Sequence, residues 1–460
     1  MKDSINLIDS SRRLPPKLLT GGLLLSLLLA CIINGAVPRV ARAEPRFGDS
    51  SWVAPALPAG GDPTSNGPRV APPDKERGWE TALRTPFRVV LVPFRLIGRG
   101  LEAGVNHIGA KYLEPKPKST THGPRVGLRV DVSGATSGVD NVGIGPAISW
   151  DGFPTDDAHM EASAAFALND RRRARFLGLL RDRQPLSFQL TADYDFKPDR
   201  SYYGIGNGTE EADRAYYRLE STRVEGALRL GASPLRRLQV LAGYSGMSPG
   251  VGKHASPLLG NVFPDGTVPF GGTATQYFIS GVAGDFAVLD DAISPSLGVH
   301  GRAELKHAAG LRGADPDYNQ WLLEGRAYLP VFAKRRVLAF RAAYAGVDPT
   351  EDGAVLPFYR LIQSEGQLRF LGYSTQRFRD RQLILAHVEY RWAISHQVSA
   401  LAIYQLGAVA PEREVFSLRA AKTSWGGGLR MGMREGSALR FVVGKGDEGL
   451  SAQLALRSDF

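Results

Sequence analysis

From Pro124 to Phe460, hydrophobic and polar residues alternate with a period of two. In Ser187–Phe196 one set is Phe188, Leu190, Ala192, Tyr194 and Phe196, and the other is Ser187, Gln189, Thr191, Asp193 and Asp195. Successive side chains of a strand point to opposite faces, so this segment separates into an apolar face and a water-facing one. A helix would smear both sets around its circumference. The split recurs at Val126–Val132, where Gly127, Arg129 and Asp131 oppose the valines and Leu128. It recurs again at Leu338, Phe340, Ala342 and Tyr344 opposite Arg341, and at Ile384–Trp392 opposite His387, Glu389 and Arg391. About sixteen such segments, centred from residue 129 to residue 455, predict an all-β chain. An even count suits a transmembrane antiparallel β-barrel.

Several apolar faces carry an aromatic residue: Tyr194, Phe196, Tyr244, Tyr344, Tyr390, Trp392 and Phe460. Rings with a polar edge favour the headgroup level, as in the girdles of such barrels. A soluble sandwich would also alternate, but arginines on its inner faces would be left in an apolar core. The interior of a barrel tolerates them. The gaps at 247–274 and 347–382 are expected to be outer loops and turns such as Ser233-Pro234 periplasmic. Phe460 closes an alternating last strand (Leu450–Phe460) and looks like the signal read by the outer-membrane assembly machinery.

Residues 1–43 read as an export signal. Arg12, Arg13 and Lys17 precede the apolar run Leu18–Val37, and Ala41-Arg42-Ala43 forms a cleavage site. Two alternatives are a lipobox ending at Cys31 and an uncleaved anchor. Residues 44–75 form a Pro/Gly-rich linker. Segment 76–123 predicts a short amphipathic helix and a second linker, with Pro93 at a first-turn position. It packs on a rim or the membrane surface, or serves as a plug or docking helix.

Composition removes other classes. One cysteine in 460 residues excludes a disulfide framework and a Cys-rich metal site. Four of the ten net positive charges fall within residues 1–43, and the remaining +6 is scattered, so no nucleic-acid partner is expected. Gly204-Ile205-Gly206-Asn207-Gly208 is followed by no apolar helix and reads as a turn rather than a phosphate loop. Gly243-Tyr244-Ser245-Gly246 lacks nucleophile-elbow spacing. The eight histidines are dispersed, and Asp348, Glu351 and Asp352 read as a solvated acidic loop rather than a calcium site. No catalytic residue, cofactor or metal is expected.

The most specific stretch is Leu356–Tyr373, LPFYRLIQSEGQLRFLGY, followed by Arg377-Phe378-Arg379-Asp380-Arg381 and Glu389-Tyr390-Arg391-Trp392. It resembles the bacterial surface antigen barrel, the outer-membrane assembly and translocation superfamily of BamA/TamA type. Tyr203–Asn207 and Ser424–Arg430 resemble further landmarks of that family, and the likeness covers roughly residues 124–460. The resemblance implies an extracellular loop folded into the lumen, with Phe370, Leu371, Gly372 and Tyr373 at its tip and Arg377, Phe378, Arg379 and Asp380 following. The family's tip arginine is Leu371 here, and its lumen aspartate corresponds to Gln405, two residues before Gly407. Losing one buried charge strands the other at a cost of about 3–5 kcal/mol, whereas losing both can be nearly neutral. An uncharged contact between the tip and Gln405 is therefore expected, with Arg369 as a shifted source of charge in the alternative. Arg377, Arg379 and Asp380 are expected to form an ion-pair network holding the loop.

Residues 44–123 leave about 40 beyond the linker, too few for a POTRA domain of ~75 residues, so the chain looks like a POTRA-less branch. The implied partners are outer-membrane lipids including lipopolysaccharide, the assembly machinery during biogenesis, and an unidentified polypeptide or lipid substrate. Two functions follow: assisted insertion or translocation through a lateral seam, or a passive or loop-gated pore.

Overall fold

The computed structural model describes residues 123–132, 142–181, 185–233, 236–291, 294–331, 336–394, 398–417, 419–432 and 438–456. The export signal, the linker, segment 76–123 apart from Gly123, and Phe460 lie outside the described residues.

The period-two segments form strands throughout. They are β1 (Gly123–Val132), β2 (Val142–Asp151), β3 (His159–Ala167), β4 (Arg172–Leu180), β5 (Leu186–Tyr202), β6 (Ala215–Ser233), β7 (Arg236–Val251), β8 (Thr275–Leu289) and β9 (Gly298–Gly310). Then follow β10 (Tyr318–Pro330), β11 (Arg336–Pro349), β12 (Ile362–Gln363), β13 (Arg379–Asp380), β14 (Gln382–Ala393), β15 (Val398–Ala410), β16 (Lys422–Gly432), β17 (Ala438–Gly446) and β18 (Gly449–Leu456). Sixteen of these make one antiparallel sheet in sequence order, while β12 and β13 pair with each other inside the connection from β11 to β14. Each of the sixteen expected centres falls within one strand of the sheet. Among the described residues no ladder joins β1 to β18.

The two faces invert the pattern of a water-soluble protein. On β5, Ser187 and Thr191 are buried, whereas Phe188 and Leu190 are 40% and 36% exposed. On β14, His387, Glu389 and Arg391 are buried. The exposed set, with Val224, Leu228, Phe286, Leu323, Phe340 and Phe441 among it, makes the outer surface apolar, as lipid requires. The inner charges meet one another rather than open water. Glu324 accepts from Arg341 at 2.8 Å and Glu389 from Arg391 at 2.6 Å.

One irregularity bears on the interior. The β5–β6 register shifts between Lys197 and Arg200, a bulge that switches which alternate residues face inward. Ser187 and Thr191 point inward before it, and Arg200 and Tyr202 after it. The longest connections, 252–274 and 350–381, share one end of the sheet, and the tight turn after Ser233 lies at the other. At the long-loop end Phe263, Val268 and Phe270 pack on Tyr202, Tyr217, Phe358 and Tyr359.

Candidate functional site: the inserted loop and its seat

Residues 350–381 fold back against the inner wall and touch β5 to β8, β11 and β15 to β18. Arg360 donates to the Ser245 hydroxyl on β7 at 2.9 Å and lies over the Tyr277 ring of β8. Tyr359 donates to the Thr273 carbonyl at 2.6 Å. Arg341 on β11 donates to the Gln367 carbonyl at 2.6 Å. Arg200, turned inward beyond the bulge, donates to Gln363 and Glu365, each at 2.7 Å. Burial alone would raise the Glu365 carboxyl, but Arg200 and Lys197 outweigh it and hold that group down at about 2.

The tip, Phe370–Tyr373, sits on the last four strands of the sheet. The Leu371 N–H donates to Gln405 Oε1 at 2.6 Å, and Gln405 Nε2 lies 2.8 Å from His387 Nδ1. An amide can accept from the loop and donate to an imidazole at once; a carboxylate can only accept. The Leu371 side chain enters a socket with Leu401, Ile403 and Val442. Two glycines leave room for it. A Cβ on Gly444 would lie 2.0 Å from Leu371 Cγ, and one on Gly426 would lie 3.0 Å from its Cδ2. The Phe370 ring covers Gly407, where a Cβ would fall 2.4 Å from it. Gly372, at φ 81°, approaches the Gly446 backbone closely, and its N–H donates to the Ser451 hydroxyl of β18 at 2.9 Å. The Tyr373 hydroxyl lies 3.1 Å from Asp447 Oδ2 and 3.2 Å from the Thr423 carbonyl. The tip therefore contacts β15, β16, β17 and β18.

The residues after the tip divide in their roles. Arg377 is 1% exposed and grips the β17–β18 turn, with Nε 2.8 Å from Glu448 Oε2 and Nη1 donating to Thr209 at 2.6 Å. Its guanidinium also meets Glu211 at 3.3 Å and the Tyr203 ring. Phe378 is fully buried against Phe370 and Tyr373, and its N–H donates to the Ser364 hydroxyl at 3.0 Å.

The ion-pair network expected of Arg377, Arg379 and Asp380 forms only at Arg377. Arg379 lies among the Tyr202, Tyr217 and Phe358 rings and, among the described residues, makes no salt bridge. Charge over π faces replaces a carboxylate there. Asp380 Oδ1 instead accepts the Arg381 N–H at 2.8 Å, and burial raises its carboxyl despite that bond and the Arg381 charge. Arg369 donates to the Tyr373 carbonyl at 3.3 Å rather than to Gln405, and burial lowers its guanidinium to about 10.

Comparison with known proteins places the fold. No family model matches the chain, and no curated protein matches it in sequence. Among solved structures, BamA from Haemophilus ducreyi lacking POTRA domains 1–3 aligns with a TM-score of 0.53 at 13% identity, over 74% of this chain and 73% of that one. The likeness is one of fold. CdiB from Acinetobacter baumannii aligns at TM-score 0.45 and 10% identity, and CdiB from Escherichia coli at 0.45 and 12%; each match covers 72% of this chain. The chain spans 65% and 62% of those two proteins.

Several seat residues were missed in the sequence: Gly426, Gly444, Gly446, Ser451 and the Asp447-Glu448 turn. The run Gly426-Gly427-Gly428 was visible, but which glycine faces the lumen depends on register against β15 and β17. Tyr203–Asn207 proves to be a loop contact, since the Gly206 N–H donates to the Arg379 carbonyl at 2.8 Å.

Proposed function

We propose that this chain is an outer-membrane barrel of the BamA/TamA type that assists insertion or translocation of a polypeptide or lipid at the seam between β1 and β18. The inserted loop acts as the clamp that holds the last strands in register. The observation that carries this reading is the placement of the loop tip. Leu371, Gly372 and Tyr373 bond to Gln405, Ser451 and Asp447, so the tip grips the wall up to its last strand. A loop that only narrowed a pore would have no need of the edge strand. Cysteines placed along β1 and β18 and oxidised in a Cys31→Ser background test the proposal. A locked seam is expected to abolish assisted insertion of a reporter barrel into vesicles while leaving conductance unchanged. Retained insertion with a locked seam would overturn the proposal, and conductance without insertion activity in the unlocked chain would favour the loop-gated pore.

A further inference from the structure

Two clefts meet on the outward face of β11, whose outward residues run Ala342, Tyr344, Gly346 and Asp348 towards the long-loop end. The register sets Ala342 beside Gly325 and Ala386, and Gly325 beside Gly301. A Cβ on Gly301 or Gly325 would meet nothing within 4 Å. Phe286 and Leu323, 56% and 51% exposed, stand beside these small residues, and the wall between carries an apolar cleft of about 840 Å³. Tyr344 lines this cleft and also a second, polar one of about 580 Å³ nearer the loops. The Trp321 ring lies over Gly346, 6.2 Å from the Tyr344 ring, as a headgroup-level aromatic would. At ~3.4 Å per residue Ala342 and Asp348 are about 20 Å apart, and a strand tilt of ~40° reduces this to about 15 Å along the bilayer normal. That is half of a ~30 Å hydrocarbon core. An amphiphile with its chains on Ala342 would carry its headgroup at Asp348.

We infer that the two clefts together bind an ethanolamine phospholipid, with its acyl chains in the apolar cleft and its ammonium in the polar one. The polar cleft sets four carboxylates, Asp348, Glu351, Asp352 and Glu412, against the two guanidiniums of Arg381 and Arg413. Arg381 meets Asp348 at 3.8 Å and Glu412 at 3.2 Å. Glu351 and Asp352 are exposed and, among the described residues, form no salt bridge. The excess charge is negative and open to a ligand, so the headgroup it favours carries a cation. Carboxylates only accept hydrogen bonds; a primary ammonium brings three N–H donors, and a trimethylammonium brings none. A metal ion is the poorer match, because among the described residues no three acidic or histidine side chains gather within reach of one. Arg381 and Arg413 at the same rim complement the phosphate beside the ammonium. An anionic lipid would supply that phosphate but set no cation against the carboxylates. Neither cleft is lined by β1 or β18, so the inference rests on the lipid-facing wall and not on the seam.

The full chain is labelled with bimane at Leu406→Cys, at the edge of the apolar cleft, in a Cys31→Ser background. It is reconstituted in phosphatidylcholine vesicles that contain, in turn, brominated phosphatidylethanolamine, phosphatidylcholine or phosphatidylglycerol. Bimane at Phe441→Cys, on the outward face of β17, is the reference. Quenching at residue 406 is expected at a mole fraction of the ethanolamine lipid at least threefold lower than of the other two, with no such order at residue 441. Ala342→Phe, which fills the apolar cleft, and the pair Glu351→Gln with Asp352→Asn should each remove the preference, and raised salt should weaken it. Heat-modifiable mobility on gels shows that each variant is folded, and either folded variant suffices. Equal quenching by the three lipids, a preference for the glycerol or choline headgroup, or a preference unaltered in the folded variants overturns the site. Quenching at neither residue would overturn the lipid-facing wall along with it. Failure of the seam cross-linking experiment leaves these readouts unaffected.

Discussion

The socket for Leu371 offers a direct perturbation of the loop. In Gly444→Ala the new methyl would lie 2.0, 2.6 and 2.7 Å from the Cγ, Cδ1 and Cδ2 atoms of Leu371. All three branch atoms overlap it, so no simple rotation of the side chain relieves the contact. Two responses compete. A seated loop under strain costs about 1–3 kcal/mol, typical of overpacking. A lifted tip loses the Leu371–Gln405 and Gly372–Ser451 bonds, at about 0.5–1.5 kcal/mol each, together with about 1.5–3 kcal/mol of leucine burial. Strain is the smaller, so the loop is expected to stay seated, with its lifted fraction raised about 5- to 150-fold. A Ser424→Cys reporter beneath the tip, 2% exposed, reads that fraction by its maleimide reactivity in a Cys31→Ser background. Gly301→Ala, with open space around its Cβ, is the control. Leu371→Ala in the same chain should remove most of the effect of Gly444→Ala. An unchanged labelling rate in Gly444→Ala, or an equal increase in Gly301→Ala, would refute the packing described.

Three further outcomes are expected. Arg377→Ala removes the buried guanidinium that grips Glu448 and should cost about 1.5–3 kcal/mol of loop stability. Arg377→Lys should recover only part of this, because an ammonium lacks the guanidinium fork, and a heat-modifiability midpoint equal to the parent's in Arg377→Ala would count against the clamp. The Glu365 carboxyl is depressed in the folded loop, so its stabilisation is complete above the ordinary value of 4.5 and fades as pH falls towards about 2. The thermal unfolding midpoint in detergent should fall over that interval and should fall less in Glu365→Gln, whereas Asp380→Asn, at a group raised by burial, should leave the midpoint at pH 7 unchanged or higher. Leu323→Arg on the outer face should lose about 2–4 kcal/mol if it lies near the bilayer midplane, and folding yields in vesicles equal to the parent's would contradict a lipid-facing position.

The fold was legible because a strand with one lipid face repeats every second residue, and the sequence of Ser187–Phe196 alternates without a break, although Phe196 itself is buried. The same rule fails at a bulge. Pro198 marks a break in the ladder, but not how the inward set changes across it, so Arg200 could not be assigned to Glu365. The loop tip was located by resemblance to other barrels, not by periodicity. Its seat was not legible, because Gly426, Gly444 and Ser451 come together only through the β15–β18 register. The charges of Arg379 and Asp380, adjacent in sequence, suggested a mutual network. Their side chains take different environments because neighbours in a strand point to opposite sides, one into aromatic rings and the other towards the Arg381 amide.

Paramagnetic accessibility of nitroxides at residues 187, 188, 190 and 191 of β5, in vesicles, tests the arrangement most directly. Labels replacing Phe188 and Leu190 should collide with oxygen dissolved in lipid, and those replacing Ser187 and Thr191 should not. Equal oxygen collision at all four β5 positions would contradict a lipid-facing wall.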